Sequence, residues 1–294
     1  MNFLLAVSSD KYSGPTLRIG SQIAESFKAK LTIVYVGPKP KELFAGKVSF
    51  ARDSLAKWKI YHPGIEVLRW AFNDLQSCGY LNKDKEDTFD PINMVEGKDR
   101  YRMVLPSRNG QEVDLVLREG EIIDQLRKEC NEQNYTISII GGSKERNMAH
   151  DLIQYLPTSV FVMKNVNLNK KYNLIICVDD SSGTKRAVRF GAIIAKQMGM
   201  SVTLLTVSRN EHFGPDYLES AKSASSHLDS LKLSYDQKFI SGDPVKTFIE
   251  LAGEDHIIVM GASTRSAFAK FFLGSKPIKT LQKANCPILI VKGE

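Results

Sequence analysis

An internal repeat constrains the fold of this chain more than any other feature of its sequence. Residues 4–36 align with residues 175–207 at one constant spacing of 171 positions, without a gap. Identical residues fall at matching places in the two copies: Val7 and Val178, Arg18 and Arg189, Gly20 and Gly191, Ile23 and Ile194, Ala24 and Ala195, Thr32 and Thr203, Val36 and Val207. Each copy reads as an apolar run, a polar turn, a helical pattern and a second apolar run. The chain is therefore predicted to contain one strand–helix–strand unit twice.

The second copy shows this pattern clearly. Its first apolar run, 174–178, is typical of a strand that is buried on both faces. Ser181, Ser182 and Thr184 then offer hydroxyl groups that can cap a helix. Apolar residues and glycine recur at helical spacing beyond them: Val188, Gly191, Ile194, Ala195 and Met198. The β-branched run 202–207 completes the unit, which predicts two parallel strands joined by a right-handed crossover.

The repeat predicts two domains, at 1–165 and 171–294, separated by a short polar segment. A chain of 294 residues is about twice a typical domain of roughly 150 residues, which agrees with this division. The first copy is longer by about fifty residues, and we place this insertion at about 40–113. Within it, Ser54–Leu81 reads as helical around a break at Pro63-Gly64, and 102–118 reads as a hairpin that turns at an Asn-Gly pair.

Composition excludes several classes of protein. A chain with 43% hydrophobic and 25% charged residues is neither disordered nor of low complexity. No apolar run approaches the roughly 20 residues of a membrane helix, and no secretory signal opens the chain, so we expect a cytoplasmic protein without membrane partners. The four cysteines are far apart and the five histidines have no catalytic or metal-binding spacing. We therefore predict buried free thiols and no metal site.

The net charge of +7 is spread thinly, apart from one segment. Residues 256–293 contain no Asp or Glu but six basic residues: Arg265, Lys270, Lys276, Lys279, Lys283 and Lys292. Because the remaining excess is diffuse, we predict no nucleic-acid partner. Two interpretations of the segment stay open, a phosphate-binding role and a solvated helix face, since three of the lysines are spaced three and four apart.

A candidate anion site lies within this basic segment. A strand ends at Gly261, and a Ser/Thr-rich loop with Arg265 leads to Gly274, Ser275 and Lys276 at the start of a predicted helix. Glycine lets the backbone approach a ligand closely, and the free N–H groups and dipole at a helix start favour phosphate.

Three segments of the second copy are predicted to meet at one edge of the sheet. Asp179, Val207 and Gly261 each stand at the carboxyl end of a predicted strand, where open parallel sheets bind their ligands. Asp179 has a second interpretation, as a cap of the following helix.

These residues resemble the universal stress protein family. Val178-Asp179-Asp180-Ser181 stands where the family commonly has Val-Asp-Gly-Ser, and 286–291 is similar to its last strand. Four residues hold the positions of the family's nucleotide motif G-x2-G-x9-G-[ST]: Gly261, Thr264, Gly274 and Ser275. The chain thus looks like a tandem universal stress protein, whose two domains cover nearly all of it apart from the insertion.

The resemblance implies two Rossmann-like, doubly wound α/β domains. Each would have a parallel five-stranded sheet, in the order 3-2-1-4-5, flanked by helices. The family pairs its domains through the last strand, whose free edge is open for pairing. The resemblance therefore also implies that 160–164 pairs with 288–292 and makes a pseudo-dimer within one chain; a further homodimer is left open.

The resemblance also implies that the second domain binds ATP, with or without magnesium. The family's contacts, carried over by position, place Cys177, Val178 and Asp179 beside the adenine, Val207 over the base, Met260 and Gly261 at the ribose, and Gly274 and Ser275 at the phosphates. Arg265 and Lys276 are added as basic neighbours of the phosphates. Met260 also fits the pattern of a core residue. In the first copy, Ser8 replaces Asp179 and no later Gly-Ser follows 141–143, which predicts that it binds no nucleotide.

We predict an ATP-binding regulatory protein of the stress response and no catalytic residue. No carboxylate or histidine accompanies Gly274 and Ser275 to position a water, so ATP hydrolysis would at most be very slow. The alternative is an interaction or scaffold module that binds no nucleotide and acts through its dimer surface and the insertion. Two departures from the family pattern favour this alternative: Thr264 adds a Cβ where the family has glycine, and Pro277 lacks an N–H donor. A second alternative is an enzyme of the related adenine-nucleotide α-hydrolase-like or electron-transfer flavoprotein-like folds. The absence of a Ser-Gly-Gly-x-Asp-Ser loop after the first strand disfavours the hydrolase-like fold.

Overall fold

The computed structural model describes residues 1–38, 62–82, 89–97, 100–142, 148–262 and 275–293. The chain divides into two units, Met1–Tyr135 and Thr136–Glu294, and each is described by itself. No helix within the described ranges is both long and apolar enough to cross a membrane.

The first unit is built on a mixed sheet. Its elements are β1 (Asn2–Val7), α1 (Asp10–Ser26), β2 (Lys30–Gly37), α2 (Gly64–Ser77), β3 (Val95–Gly97), β4 (Arg100–Pro106), β5 (Glu112–Glu119) and α3 (Ile122–Gln133). β1, β2 and β5 are parallel neighbours, and β4 and β3 follow in antiparallel pairing. The predicted strand–helix–strand unit of the first copy and the predicted hairpin are confirmed. The helix expected at Ser54–Leu81 ends at Ser77, and its part at 54–61 lies outside the described residues.

The second unit contains the whole second copy and the last elements of the first. Its elements are β6 (Ile137–Gly142), α4 (Met148–Tyr155), β7 (Ser159–Lys164), β8 (Asn173–Cys177), α5 (Thr184–Met198), β9 (Val202–Ser208), α6 (Pro215–Ser230), β10 (Tyr235–Ser241), α7 (Pro244–Ala252), β11 (His256–Ala262), α8 (Ser275–Lys283) and β12 (Ile288–Lys292). The strands are ordered β10-β9-β8-β11-β12-β7-β6. Numbered along the second copy alone, its five parallel strands follow the order 3-2-1-4-5.

The turn after the third strand is the same in both copies. Gly120 follows β5 with φ +140° and Gly242 follows β10 with φ +152°, a conformation that glycine adopts readily. The N–H of Gly120 donates to the carbonyl of Gly37, and that of Gly242 to the carbonyl of Ser208, each at 2.8 Å. β5 is therefore the counterpart of β10.

The helix before that strand is also shared by the two copies. Three buried residues of α2, spaced three and four apart, match three buried residues of α6: Leu68, Ala71 and Leu75 match Ala221, Ala224 and Leu228. α2 therefore belongs to the repeated fold, although the sequence pattern placed it within the insertion. The added length of the first copy falls instead on both sides of α2, and the second part carries β3 and β4.

β7 and β12 pair antiparallel within the second unit. Val160, Phe161 and Val162 face Ile290, Leu289 and Ile288, and all six side chains are buried. The pairing agrees with the one expected between 160–164 and 288–292. This pairing also explains why β6, α4 and β7, which belong to the first copy in sequence, lie in the same compact unit as the second copy. The domain bounds 1–165 and 171–294 stay a prediction.

The lysines at the ends of these two strands make reciprocal contacts. Lys164 donates from Nζ to the carbonyl of Leu281, at 3.0 Å, near the end of α8. Lys292 donates from Nζ to the carbonyl of Leu156, just beyond α4. Carbonyl groups at helix C-termini lack partners within the helix, so each lysine satisfies one at the end of the other copy's last helix.

Candidate functional site

The carboxylate of Asp179 organises the turn between β8 and α5. Asp179 Oδ1 accepts hydrogen bonds from the backbone N of Ser181 at 3.0 Å and from Thr184 Oγ1 at 2.7 Å. The predicted hydroxyl cap of α5 is wrong, because the cap residue is Gly183 and makes no side-chain cap bond. The Thr184 hydroxyl is instead committed to Asp179. In this part of the structure Asp179 therefore orders the turn ahead of the helix.

Asp179 also contacts the start of α8. Lys276 Nζ lies 3.5 Å from Asp179 Oδ2, and the two side chains are 43% and 28% exposed. Two segments 97 positions apart in sequence thus meet at the carboxyl end of β8. This contact is the central feature of the candidate site, because it places a carboxylate and an ammonium group side by side at the sheet edge.

The other lysines of the acid-free segment have different environments. Lys279 and Lys283 are exposed on α8, as a solvated helix face would require. Lys292 is buried and bonded to a carbonyl group. Arg265 and Lys270 lie outside the described residues. The segment is therefore not one uniform basic surface, and Lys276 is the described lysine that lies at the candidate site.

Gly261 has a structural reason to be glycine. A Cβ at this position would lie 2.5 Å from the carbonyl carbon of Gly183 and 2.6 Å from the backbone N of Thr184. A Cβ at Gly183 would in turn lie 2.8 Å from the backbone N of Ala262. The end of β11 thus packs directly on the turn that opens α5, with no space for a side chain between them. Close helix–strand packing of this kind accounts for the glycine without a ligand.

Four further predicted residues are buried at the carboxyl ends of their strands: Cys177, Val178, Val207 and Met260. Burial, and after it the Asp179 carboxylate, raise the pKa of the Cys177 thiol well above its ordinary value. Cys177 is therefore a neutral thiol at pH 7. The burial of Met260 agrees with its interpretation as a core residue.

The remaining predicted residues belong to the loop before α8. Thr264, Arg265 and Gly274 lie outside the described residues, and of Ser275 only the helical backbone is described. Their role in binding phosphate stays a prediction. Across the described ranges, no group of three His, Cys, Asp or Glu side chains is placed to hold a metal ion.

Sequence reasoning missed a buried charge network in the first unit. Arg118 and Glu129 are both fully buried, and Arg118 Nε donates to Glu129 Oε2 at 2.5 Å. Arg100 Nε donates to the same oxygen at 3.0 Å, and the Tyr135 hydroxyl donates to Oε1 at 2.8 Å. Burial raises the pKa of Glu129, but the hydrogen bond from Arg100 and the two arginine charges outweigh it and lower the pKa below its usual value. The sequence signal is partial: charged residues alternate at Arg100 and Arg102 in β4 and at Glu112 and Asp114 in β5, but the alternation does not extend to Arg118.

The sequence of the second copy matches a known family. A family model described as the universal stress protein family matches residues 172–292. These residues are a universal stress protein domain. A universal stress protein of Mycobacterium tuberculosis is 32% identical over 63 residues, which is 21% of this chain and 21% of that protein. The match thus spans about a fifth of the length of that relative.

Solved universal stress proteins share the fold of the chain. One from Archaeoglobus fulgidus covers 100% of this chain and 98% of its own length, with a TM-score of 0.65 and 13% sequence identity. That likeness shows a common α/β fold. A shorter universal stress protein from Archaeoglobus fulgidus, solved in complex with dAMP, covers 55% of this chain and 96% of its own length with 16% identity and a TM-score of 0.33.

Proposed function

We propose that the second domain, at 171–294, binds an adenine nucleotide, with ATP as the first candidate. We also propose that the protein is a regulator in the stress response. The observation that carries this proposal is the meeting of Asp179 and Lys276 at the carboxyl edge of a parallel sheet, where such sheets bind ligands. A carboxylate can accept a hydrogen bond from the adenine amino group, and a lysine can pair with a phosphate. Membership of 172–292 in the universal stress protein family supports the same assignment.

The start of α8 is the proposed phosphate site. Lys276 lies in the first turn of this helix, where free N–H groups and the helix dipole favour an anion. A bound phosphate would replace Asp179 as the partner of Lys276 and leave the carboxylate free for the base. Thr264, Arg265, Gly274 and Ser275 complete the proposed site. The nucleotide binds with or without magnesium.

The proposal confines the nucleotide to the second domain. In the first copy, the backbone N of Ser8 donates to Ser13 Oγ at 2.9 Å. In the second copy, the backbone N of Asp179 donates in the same way to Thr184 Oγ1 at 3.4 Å. The turn is therefore preserved, but Ser8 has no carboxylate to offer an adenine. We propose that the first domain is a structural partner, joined to the second as a pseudo-dimer through the pairing of β7 with β12.

The proposed role is binding and regulation in the cytoplasm, without catalysis. In sequence, no carboxylate or histidine accompanies Gly274 and Ser275 to position a water molecule, so we expect any ATP hydrolysis to be very slow.

Thermal unfolding of the full-length protein with ATP, with and without magnesium, tests this proposal. ATP at 100 times its dissociation constant should stabilise the fold by about 2.7 kcal/mol. Lys276→Ala should reduce this gain, whereas Lys279→Ala, one turn further along the same helix and exposed, should keep it. Lys276→Ala should reduce the stabilisation by adenosine less than it reduces the stabilisation by ATP, because adenosine has no phosphate. Absence of any ATP-dependent stabilisation of the wild-type protein, or equal loss in both variants, would rule the site out.

An interaction or scaffold module is the second candidate function. The observation that favours it is the same ion pair, since Asp179 and Lys276 satisfy each other without a ligand. Under this alternative, ATP leaves the unfolding temperature unchanged, and Lys276→Ala alters stability alone.

A further inference from the structure

A groove lined by polar and apolar side chains lies between α5 and α6 of the second unit. Its volume is about 690 Å³, within the range of small-molecule sites. α5 contributes Lys185, Val188 and Arg189 to its lining, and α6 contributes Ser220, Ser223 and His227. Its lining also includes Ser181 and Thr184, which donate hydrogen bonds to the Asp179 carboxylate, but neither Asp179 nor Lys276 lines the groove.

The corresponding place in the first unit is filled by protein. Arg18, which matches Arg189 in the repeat, donates from Nε to both carboxylate oxygens of Asp74 at 3.1 Å and from Nη2 to Oδ1 at 2.6 Å. One turn earlier, the indole of Trp70 packs at Gly14, with its Cζ2 3.9 Å from the place of a Cβ there. An indole and a carboxylate thus close the contact between α1 and α2.

The second copy lacks both filling groups. Asp74 directly precedes the buried Leu75, as His227 precedes the buried Leu228. Five positions before each leucine stand Trp70 in α2 and Ser223 in α6. The indole is therefore replaced by a hydroxymethyl group and the carboxylate by an imidazole, which leaves the space between α5 and α6 open.

The arginine is retained although its carboxylate is lost. Among the described residues, Arg189 has no hydrogen-bond or ion-pair partner, whereas the matching Arg18 holds a carboxylate through a two-pronged contact. A guanidinium with this geometry recognises carboxylate and phosphate groups in the same way. The first copy thus shows, within one chain, which chemical group fits this arginine.

We propose that the groove between α5 and α6 binds a small anionic ligand with a flat ring. Its carboxylate or phosphate pairs with Arg189, and its ring lies over Val188 and Ala224, in the space that Trp70 fills in the first copy. Lys185 adds a second positive charge to the lining. Asp180, also in the lining and in the turn before α5, disfavours a second anionic group at that end. The ring of the ligand thus takes the place of the Trp70 indole, and its anionic group takes the place of the Asp74 carboxylate.

Calorimetric titration of the full-length protein with three probes tests the proposal. Indole-3-propionate carries a carboxylate, phenyl phosphate carries a phosphate, and indole is a neutral control. One of the two anions should bind saturably and more tightly than indole, and the tighter one identifies the anionic group. Arg189→Gln should weaken that binding roughly tenfold or more, because it removes a charge-assisted hydrogen bond. Lys196→Gln, exposed in the last turn of α5, should leave it unchanged.

Filling the groove provides an independent test. Ser223→Trp combined with His227→Asp installs the pair that closes the first copy, and should abolish probe binding while raising the unfolding temperature. If the double variant does not fold, His227→Asp alone should pair with Arg189 and weaken binding. Lys276→Ala should keep probe binding, which separates this groove from the proposed nucleotide site. Absence of saturable anion binding, or equal binding by Arg189→Gln and the wild-type protein, would overturn the proposal.

Discussion

The helix pairs α1–α2 and α5–α6 show how one scaffold supports two different surfaces. Both pairs retain the same arginine and the same three buried positions facing the sheet. In the first pair, Trp70 and Asp74 close the contact between the helices, whereas in the second Ser223 and His227 leave a groove. This difference indicates that the residues facing the sheet preserve the fold, whereas the residues between the two helices can diverge. A groove can therefore open without any change in topology.

The two copies differ again where the third strand meets the following helix. Leu126 and Cys130 of α3 match Phe248 and Ala252 of α7, and all four are buried at the same spacing. The fully buried Glu129 and Arg118 of the first copy then correspond to Leu251 and Ile240 of the second. The first copy thus buries charges where the second has aliphatic side chains. This makes the stability of the first copy depend on ionisation and hydrogen bonding at a place where the second copy has the half-buried Leu251 and Ile240.

Breaking this charge network should have the largest effect on stability. Glu129→Gln removes the charge that pairs with two arginines, one of them fully buried, and should lower the free energy of unfolding by about 3–5 kcal/mol. Denaturant unfolding followed by circular dichroism measures the loss. Glu66→Gln, exposed on α2, should change it by less than about 0.5 kcal/mol. A loss below about 1 kcal/mol in Glu129→Gln would show that the network contributes little.

The same network predicts a dependence on pH. The pKa of Glu129 is lower in the folded protein than its ordinary value of 4.5, so this stabilisation is fully present above the ordinary value. It is lost as the pH falls through the lowered folded value. The difference in stability between wild type and Glu129→Gln should therefore be constant near neutral pH and shrink in acid. A difference that grows as the pH falls below 4.5 contradicts this assignment.

Gly261→Ala should have the next largest effect. The added Cβ meets backbone atoms of Gly183 and Thr184, which cannot move aside as a flexible side chain would. We expect a loss of about 1–3 kcal/mol in unfolding free energy. Gly214→Ala is the matched control, because no atom lies within 4 Å of its Cβ position. Equal stability of the two variants would show that β11 and the α5 turn are not tightly packed.

Asp74→His tests the comparison of the two helix pairs, since it gives the first copy the residue of the second. Arg18 loses its carboxylate, but its own side chain is 46% exposed and water replaces part of the interaction. A loss of about 1–2 kcal/mol is therefore expected in thermal or denaturant unfolding. The reverse change, His227→Asp, should stabilise the protein by at most about 1 kcal/mol. A loss of stability in Asp74→His together with a gain in His227→Asp supports the comparison, and a loss of stability in both variants contradicts it.

The cysteines give the smallest effect, a difference in reactivity without a change in fold. The sequence predicted buried free thiols, which is correct for Cys130, Cys177 and Cys286 but wrong for Cys78, which is exposed. Burial raises the pKa of Cys286 to about 11, and that of Cys177 also lies well above its ordinary value. In a thiol-reagent assay of the native protein at pH 8, Cys78 should react first and the other three only after unfolding. Cys78→Ser should remove the fast phase, and rapid reaction of a second thiol would contradict the burial.

Much of the fold followed from the sequence because its signals are periodic and local. The repeat at a spacing of 171, the apolar runs and the helical spacing from Val188 to Met198 predicted the parallel strand pairs and their crossover helices. Burial on both faces of a parallel strand leaves a continuous apolar run that can be recognised without a structure. α2 was misplaced because its match to α6 lies in three buried residues among dissimilar neighbours.

The candidate site was predictable only in part. The sequence identified Asp179, Gly261 and Lys276 as candidates, since the ends of parallel strands share one edge. It did not show that Asp179 pairs with Lys276, nor that Gly261 packs against Gly183, because these contacts join segments far apart in the chain.

The sequence by itself determined that one strand–helix–strand unit occurs twice in this chain and that residues 172–292 match the universal stress protein family. The pairing of Arg18 with Asp74 and the groove beside Arg189 were decided by tertiary structure alone. The physical reason is that hydrophobic patterning specifies which face of an element is buried, whereas hydrogen bonds and open spaces depend on which side chains two packed elements bring together.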